Sequence, residues 1–255
     1  MIAIPESKGT PEAQELAVCL PGADSAAHMQ AASRRRFFGL IDRRLRWSFS
    51  WKGWAVTGGI LVCLLLLVVS NVHPFLAVTD RTNADVLVVE GWLPNYALEE
   101  CISEFNARHY RLVFTVGGEI LSGTNIDPGD NLASYAAARF KYLGLKSQFV
   151  QAVPSGASYR DRTFASALAL RQWAQNHQQR IDGFNLVTLG PHARRSRLLF
   201  EKAFGDKARV GIISVEDRGY DPARWWCYSE GVKEVVSESA AYLYARLFFW
   251  PDTRN

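Results

Sequence analysis

The sequence has few cysteines, and none of them forms a metal-binding pattern. The four cysteines, Cys19, Cys63, Cys101 and Cys227, are scattered and make no C-x-x-C pair, which argues against a zinc site. Cys101 and Cys227 fall in the same predicted domain, so they could pair in an oxidising compartment. Two free buried thiols are the alternative, and the sequence leaves that choice open.

The common catalytic signatures are also absent. The sequence has no G-x-S-x-G nucleophile elbow, no P-loop, no H-E-x-x-H zinc motif and no G-x-G-x-x-G dinucleotide fingerprint. Ser155 and Ser158 lack the neighbouring residues that would mark either of them as a nucleophile. No enzyme class is therefore assigned from a motif alone.

A broad basic surface is missing from most of the chain. Residues 1–52 contain eight Lys and Arg against five Asp and Glu, whereas the remaining residues contain 21 basic and 20 acidic side chains. The pI near 8.9 is therefore mainly a property of the N-terminal segment. Because duplex binding needs a basic field on the folded part, nucleic acid is not an expected partner.

One long hydrophobic run is present, Gly53–Val72, and it contains no ionised side chain. About 20 apolar residues are needed for a helix to cross a hydrocarbon core of roughly 30 Å. Basic residues crowd its N-terminal side, so the positive-inside rule places the N-terminus in the cytoplasm and the main domain outside. A cleaved signal peptide and a buried core helix are the alternatives to a retained anchor.

This pattern divides the chain into four predicted parts. Residues 1–52 are expected to form a cytoplasmic, largely disordered basic tail, and residues 53–72 a transmembrane anchor. A polar linker is predicted over residues 73–84, and an extracytoplasmic α/β domain over residues 85–250.

Apolar segments alternate with amphipathic ones throughout the predicted domain. Strands are predicted over 85–90, 111–116, 147–153, 184–189 and 209–215, and helices over 96–108, 131–144, 162–179, 192–204 and 222–249. Asn131 and Asp161 are the expected N-caps of the second and third of these helices. The alternation predicts a doubly wound, mostly parallel, Rossmann-like sheet of about five strands, preceded by one transmembrane helix.

Polar residues follow the predicted strands at their carboxyl ends, where doubly wound proteins bind ligands. Glu90 ends the first strand, Gly117, Gly118 and Glu119 follow the second, and His192 follows the fourth. His192 could act as a general acid or base, and the two glutamates as bases or as ligands for a sugar hydroxyl. Packing and rim solvation are the alternatives for these three candidate catalytic residues.

Three arginines occupy the first turns of the helix after the fourth strand: Arg194, Arg195 and Arg197. Cations there oppose the helix dipole unless they share an anion with backbone N–H groups. A helical wheel favours Arg195 for an anion contact and turns Arg194 toward solvent; solvated ion pairs are the alternative for all three. The candidate ligand-binding residues are Arg195, Arg194, Gly117, Gly118, Thr163 and Arg162.

The order of segments resembles the SanA/ElyC/YdcF family, also called domain of unknown function 218. The resemblance covers roughly residues 84–247 and lies in DVLVV, a strand ending in Gly-Gly, YLGL, YRDRTFASALAL and LVTLGPHARRSRLLF. Its most specific part is the His-x-x-Arg of His192 and Arg195, together with Thr163. This sequence departs from the family in having Glu90-Gly91-Trp92 in place of a Gly-Gly pair after the first strand, and Arg162 in place of an asparagine.

The resemblance implies a Rossmann-like domain, often tethered to the bacterial inner membrane, with a role in peptidoglycan, polysaccharide or lipid-carrier metabolism. The leading hypothesis is a periplasmic cleft for a phosphorylated or sugar-phosphate ligand, such as a polyprenyl-linked glycan precursor. The second is a non-catalytic assembly factor that holds an envelope protein partner through the cleft rim and Trp225-Trp226. A third, an adenosine-containing cofactor in the cleft, lacks a glycine-rich fingerprint to support it, and no cofactor is assigned.

Overall fold

A computed structural model describes residues 50–120, 131–156, 158 and 160–251 of the chain. The chain divides into two compact units, Met1–Gly58 and Gly59–Asn255. The predicted cytoplasmic tail falls almost entirely outside the described residues. The α/β domain and the helical residues 59–76 that precede it belong to the second unit.

Helix α1 spans Trp51–Leu76 and is long and apolar enough to cross a membrane. Its most apolar 18-residue stretch has a mean hydropathy of 2.4, and none of that stretch is buried. This exposure argues against a buried core helix, because a core helix hides its apolar side chains in the protein. The helix ends four residues beyond the predicted anchor, and its last turn contains the buried residues His73 and Leu76.

The described strands form one all-parallel sheet in the order β3-β2-β1-β4-β5. The strands are β1 Val86–Glu90, β2 Leu112–Gly117, β3 Val150–Pro154, β4 Gly183–Leu189 and β5 Arg209–Val215. In register, Val88 of β1 lies between Phe114 of β2 and Leu186 of β4. The predicted doubly wound sheet is therefore confirmed. Its strand order reverses beside β1 and β4, which is where such sheets bind ligands.

Helices cover both faces of the sheet: α2 Asn95–Arg108, α3 Leu132–Tyr142, α4 Arg162–Asn176, α5 His192–Phe204 and α6 Ser229–Leu247. Asn131 caps α3 as predicted, because its side chain accepts a hydrogen bond from the Ser134 N–H at 2.8 Å. Asp161 occupies the N-cap position of α4 as predicted, but it has a left-handed conformation and makes no side-chain cap bond. The predicted closing helix 222–249 is instead a 3₁₀ helix, Pro222–Cys227, an extended Tyr228 and then α6.

Alternate residues of the strands supply two apolar cores. Val86 and Val88 of β1 face a cluster that includes Phe184 and Phe200, whereas Leu87 and Val89 face the cluster around Phe140 on the other side. Each such side chain contributes about 1.5–3 kcal/mol by leaving water. Cys101 lies buried in the second core while Cys227 is exposed, and both thiols are free.

The segment between α1 and β1 lies against β5 instead of forming a free linker. Asp80 and Ile212 exchange two backbone hydrogen bonds of 2.8 Å. On either side of that pair, the Ser214 N–H donates to Thr79 Oγ1 and the Thr82 N–H donates to Asn185 Oδ1. The predicted linker 73–84 is therefore helical up to Leu76 and hydrogen-bonded to the sheet beyond it.

Candidate functional site

A cavity of about 560 Å³ lies at the carboxyl edge of the sheet, where β1, β2 and β4 end and α4 and α5 begin. Residues of α6 form its remaining wall. Eight of the nine residues predicted for the site line this cavity: Glu90, Gly117, Gly118, Glu119, Arg162, Thr163, His192 and Arg195. The structure thus brings together candidates from four separate segments of the sequence.

Arg194 is the candidate that does not line the cavity. Its guanidinium carbon lies 4.0 Å from the centre of the Phe75 ring, and its Nε donates a hydrogen bond to the Phe75 carbonyl. Arg194 therefore joins the first turn of α5 to the end of α1. This cation–π contact and hydrogen bond explain an arginine at the positive end of a helix without a bound anion.

His192 is held by a carboxylate that the sequence did not identify, Glu238 of α6. Nδ1 of His192 lies 2.8 Å from Oε1 of Glu238. Arg195 donates to the same carboxylate through Nε at 2.7 Å and Nη2 at 3.0 Å. Glu238 therefore accepts three hydrogen bonds, two from the guanidinium and one from the imidazole. Arg195 is consequently neutralised within the protein.

The guanidinium of Arg195 also lies against the imidazole ring. Its Nη2 is 3.0 Å from Nδ1 and 3.3 Å from Nε2 of His192. The two ring nitrogens direct their in-plane lone pairs or protons apart, so an atom almost equidistant from both is aligned with neither. We therefore interpret this as a packing contact that restricts the ring, with the Nδ1 proton donated to Glu238.

The pKa of Glu238 is lowered to about 2. Burial alone would raise this pKa, but the hydrogen bonds from His192 and Arg195 and their positive charges stabilise the carboxylate more strongly. Glu238 is therefore ionised at neutral pH. Burial would lower the pKa of Arg195, but the hydrogen bonds to Glu238 and the nearby negative charges raise it by more. Both members of the Arg195–Glu238 pair are therefore charged.

Glu90 is a second buried carboxylate beside the same histidine. It accepts hydrogen bonds from the hydroxyls of Thr188 and Ser196 and from the indole N–H of Trp92. Its Oε2 lies 3.7 Å from Nε2 of His192, which is longer than a hydrogen bond. The imidazole thus lies between two buried carboxylates, with Nδ1 bonded to one and Nε2 facing the other.

Trp92 forms an exposed aromatic wall of the cavity. The ring is 41% exposed and meets the His192 ring edge-on, with centroids 5.2 Å apart. The indole N–H of Trp92 donates a hydrogen bond to Glu90, and this bond fixes the orientation of the ring. An aromatic ring with one polar edge in use and a free face can support an apolar face of a ligand.

Two glycines at the ends of β1 and β2, Gly91 and Gly117, are required by the protein's own packing. A Cβ added to Gly117 would lie 2.7 Å from Cβ of Leu132, and one added to Gly91 would lie 2.3 Å from the carbonyl oxygen of Leu132. Both glycines therefore allow the start of α3 to approach the ends of β1 and β2 closely. Gly118 is less constrained, since its added Cβ would meet the Ser155 hydroxyl at 3.1 Å.

The opposite wall of the cavity contains the start of α4. Arg162 and Thr163 occupy its first turn, and Arg162 is exposed and forms no ion pair within the described residues. Glu119 is also exposed and is fixed through its backbone by a bridge to Asn131. Residues 121–130, between Glu119 and Asn131, lie outside the described residues.

The described wall of the cavity carries more negative than positive side chains. Among the described residues, five carboxylates line the cavity, those of Glu90, Glu119, Asp161, Glu234 and Glu238, against two arginines, Arg162 and Arg195. Because Arg195 is already paired with Glu238, Arg162 is the arginine that remains for a ligand. No group of three or more His, Cys, Asp or Glu residues suited to a metal ion occurs in the part of the chain that the structure describes.

Glu238 and Trp92 line the cavity but were not among the residues predicted for the site. Glu238 shares the buried face of α6 with Gly231, Val235 and Ala245, and a carboxylate on a buried helical face is a signal of a paired charge. Trp92 lies two residues after the predicted strand 85–90, whose last residue is Glu90. Trp225, expected on a partner surface, is buried, and its indole donates to the Val69 carbonyl of α1 at 3.1 Å.

The fold and the cavity define a doubly wound α/β protein with a polar cleft at the reversal of its strand order. The chain matches no protein-family model, no curated protein and no solved structure. The geometry of this cleft and the physical character of α1 are therefore the observations that bear on function.

Proposed function

We propose that the chain is a membrane-anchored protein of the bacterial cell envelope that acts on a sugar-phosphate ligand, such as a polyprenyl-linked glycan precursor, in polysaccharide or peptidoglycan metabolism. In this proposal α1 spans the inner membrane and the α/β domain lies outside the cytoplasm. The observation that carries the proposal is His192, bonded through Nδ1 to Glu238 and facing Glu90 with Nε2 in a cavity that also contains Arg162.

The arrangement around His192 suits general acid–base chemistry. Glu238 fixes the tautomer and the orientation of the ring, which leaves Nε2 to exchange a proton with a ligand hydroxyl or a water molecule. Glu90 and Glu238 would both stabilise the positive charge that develops on the ring when it accepts that proton. A positioned histidine of this kind contributes roughly 10²–10⁴-fold to a rate.

The described wall of the cavity has several carboxylates and an arginine, Arg162, at the start of α4. This arrangement favours a ligand that combines a hydroxyl-bearing sugar with a phosphate. Carboxylates accept hydrogen bonds from sugar hydroxyls, and the Trp92 ring offers a face for the apolar side of a sugar. A phosphate would lie near Arg162 and the N-terminal N–H groups of α4. A dianion without hydroxyls would meet mostly carboxylates, so a sugar-phosphate suits the cavity better than free phosphate.

The position of α1 supports a ligand that is linked to the membrane. His73 of α1 lies 3.1 Å from the Tyr220 hydroxyl, and Phe75 contacts Arg194 in the first turn of α5. Tyr220 follows β5 and Arg194 follows β4, so α1 meets the domain at the carboxyl edge of the sheet, where the cavity lies. A lipid-linked glycan leaving the bilayer beside α1 would therefore reach the cavity without crossing the domain.

Ligand binding to the full-length chain in lipid nanodiscs tests the proposal. The probes are N-acetylglucosamine 1-phosphate, the same sugar without phosphate, inorganic phosphate, and a short-chain polyprenyl phosphate. We expect the sugar-phosphate to raise the melting temperature more than either of its parts. Binding adds about 2.7 kcal/mol of stability at a hundredfold excess over Kd, or a rise of roughly 5–11 °C for a domain of this size.

Two variants separate the roles within the cavity. Arg162→Ala should remove the difference between the phosphorylated and the plain sugar, whereas Arg160→Ala, an exposed neighbour outside the cavity, should retain it. His192→Gln should keep binding and lose turnover of any ligand that is converted. An absence of binding by all four probes would contradict the proposal and favour the non-catalytic assembly factor, whose function would survive cavity substitutions.

A further inference from the structure

We propose that a second part of the domain lies in the headgroup layer of the membrane: the interfacial face, formed by Trp226, Tyr228, Val232 and Val236. This inference rests on the proposed membrane span of α1. The face is continuous along the chain, since Trp226 and Tyr228 flank the end of the 3₁₀ helix and the two valines lie one turn apart on α6. The occupant of this face is the lipid bilayer that α1 crosses.

A hydrogen bond sets the depth of this face relative to α1. The indole N–H of Trp225 donates to the carbonyl of Val69 at 3.1 Å. Val69 lies three residues before the end of the uncharged run at Val72, which corresponds to about 4.5 Å at 1.5 Å per helical residue. A span of about 20 residues that ends at Val72 therefore places the Trp225 side chain within one helical turn of the membrane boundary.

The attachment between α1 and this region is broad enough to hold that depth. Leu76 of α1 is buried with Tyr220, Trp225 and Val235 in one apolar cluster, and Val69 and Val72 pack against the same cluster. Phe75 and Tyr242 meet edge-on, with ring centroids 5.6 Å apart. The start of α6 is thus fixed beside the last two turns of α1.

The exposed side chains beside this attachment have the chemistry of an interfacial layer. The Trp226 ring lies 5.9 Å from that of Trp225 and is 44% exposed, and Val236 is 57% exposed. Tyr228 and Val232 are also exposed. Single exposed apolar residues need no explanation, but four within residues 226–236 do. Trp and Tyr prefer the membrane–water boundary because the ring enters the lipid while its polar atom stays hydrated.

The native cysteines provide reporters for this proposal. Cys227 is exposed and lies between Trp226 and Tyr228 of the interfacial face, and Cys63 is exposed in the middle of α1. Cys101 is buried, and burial raises the pKa of its thiol, so it should not react in the folded protein. A spin label is attached at Cys227 in the full-length Cys19→Ser, Cys63→Ser chain, and at Cys63 in the full-length Cys19→Ser, Cys227→Ser chain.

The labelled proteins are reconstituted in phosphatidylcholine–phosphatidylglycerol nanodiscs, and label accessibility to oxygen and to a water-soluble nickel complex is compared. Oxygen concentrates in lipid and the nickel complex in water. We expect the oxygen-to-nickel ratio at Cys227 to lie between that at Cys63 and that of a label at Tyr142→Cys, an 81% exposed control on α3. The added changes Val232→Glu and Val236→Glu should shift the Cys227 ratio toward the Tyr142→Cys value.

The outcomes distinguish failure of this inference from failure of the proposed function. If the Cys63 label is in water, the membrane span is wrong and both fail. If Cys63 is in lipid while Cys227 gives the ratio of Tyr142→Cys, the interfacial face is wrong and the span stands. If Cys227 is shielded from both agents and a label-to-label distance shows two chains in contact, the occupant is a second copy, and the lipid assignment is overturned.

Discussion

Nδ1 of His192 lies 2.8 Å from Oε1 of Glu238, although the two residues are 46 positions apart in the sequence. The same carboxylate binds Arg195, so one glutamate of α6 orients the histidine and neutralises the arginine. Arg195 is therefore paired within the protein, and among the described residues Arg162 is the cavity arginine that forms no ion pair.

Glu238→Gln should lower the free energy of unfolding by about 3 kcal/mol, because it leaves the largely buried Arg195 without its counter-charge. Denaturant unfolding of the full-length protein in detergent measures the change. The matched control is Glu234→Gln, one turn earlier on α6, which should change stability by less than about 0.5 kcal/mol. Adding Arg195→Met to Glu238→Gln should recover part of the loss. Equal effects of the two glutamine substitutions would contradict the pairing.

Stability should fall in acid through the titration of Glu238. Its pKa is lowered from the usual 4.5 to about 2 in the folded protein, so the unfolded chain binds this proton more readily. The stabilisation is complete above about pH 4.5 and is lost as the pH falls toward 2, with a total of about 3 kcal/mol. Unfolding curves between pH 6 and pH 2 on the wild type and on Glu238→Gln measure it. The variant should lose less stability over that range, and parallel profiles would count against the shift.

Trp92→Ala should weaken binding of a sugar-phosphate about tenfold, or about 1.4 kcal/mol, if the ring supports the sugar. Trp92→Phe keeps an aromatic face and loses the hydrogen bond to Glu90, so it should retain most of the affinity. Calorimetric titration measures both, with Tyr142→Ala as an exposed aromatic control outside the cavity. A Trp92→Phe variant as weak as Trp92→Ala would assign the role to the indole N–H.

Gly91→Ala should destabilise the domain by about 1–3 kcal/mol or more, since the new Cβ would lie 2.3 Å from a backbone oxygen of α3. Backbone atoms at the start of a helix cannot move aside as a side-chain end can. Gly156→Ala, where an added Cβ meets nothing within 4 Å, serves as the control and should be nearly neutral. Thermal unfolding of both variants measures the difference, and a neutral Gly91→Ala would show that α3 can shift.

Local sequence signals were sufficient for most of the fold. The helix 192–204 and the strand 209–215 were predicted with the bounds that the structure gives, because a Gly-Pro pair and a glycine mark the two ends of that helix. The closing helix was predicted as one element over 222–249. The structure instead has an extended Tyr228 between two helices, beside a hydrogen bond from Trp225 to Val69 that spans 156 positions and that no local pattern contains.

The sequence was sufficient to place most candidate residues at one edge of the sheet, but not to predict how they pair. Parallel strands place their carboxyl ends together, so Glu90, His192 and the Gly117-Gly118 segment could be assigned to one edge from the sequence. The role of Arg195 could not be assigned in this way, because it depends on which side chain of α6 faces α5. The sequence favoured Arg195 for an anion contact. In the structure its guanidinium instead donates to the Glu238 carboxylate at 2.7 Å.

The backbone bonds of Asp80 to Ile212 leave almost no slack between α1 and the sheet. A protein on a long flexible leash can search a hemisphere above its anchor, with a radius set by the length of the leash. If α1 spans the membrane as proposed, this domain has no such reach, because its cleft keeps one height and one orientation relative to α1. Its encounters with a membrane-linked ligand would be governed by lateral diffusion in two dimensions, and a ligand held farther from the bilayer than the cleft would have to bend toward it.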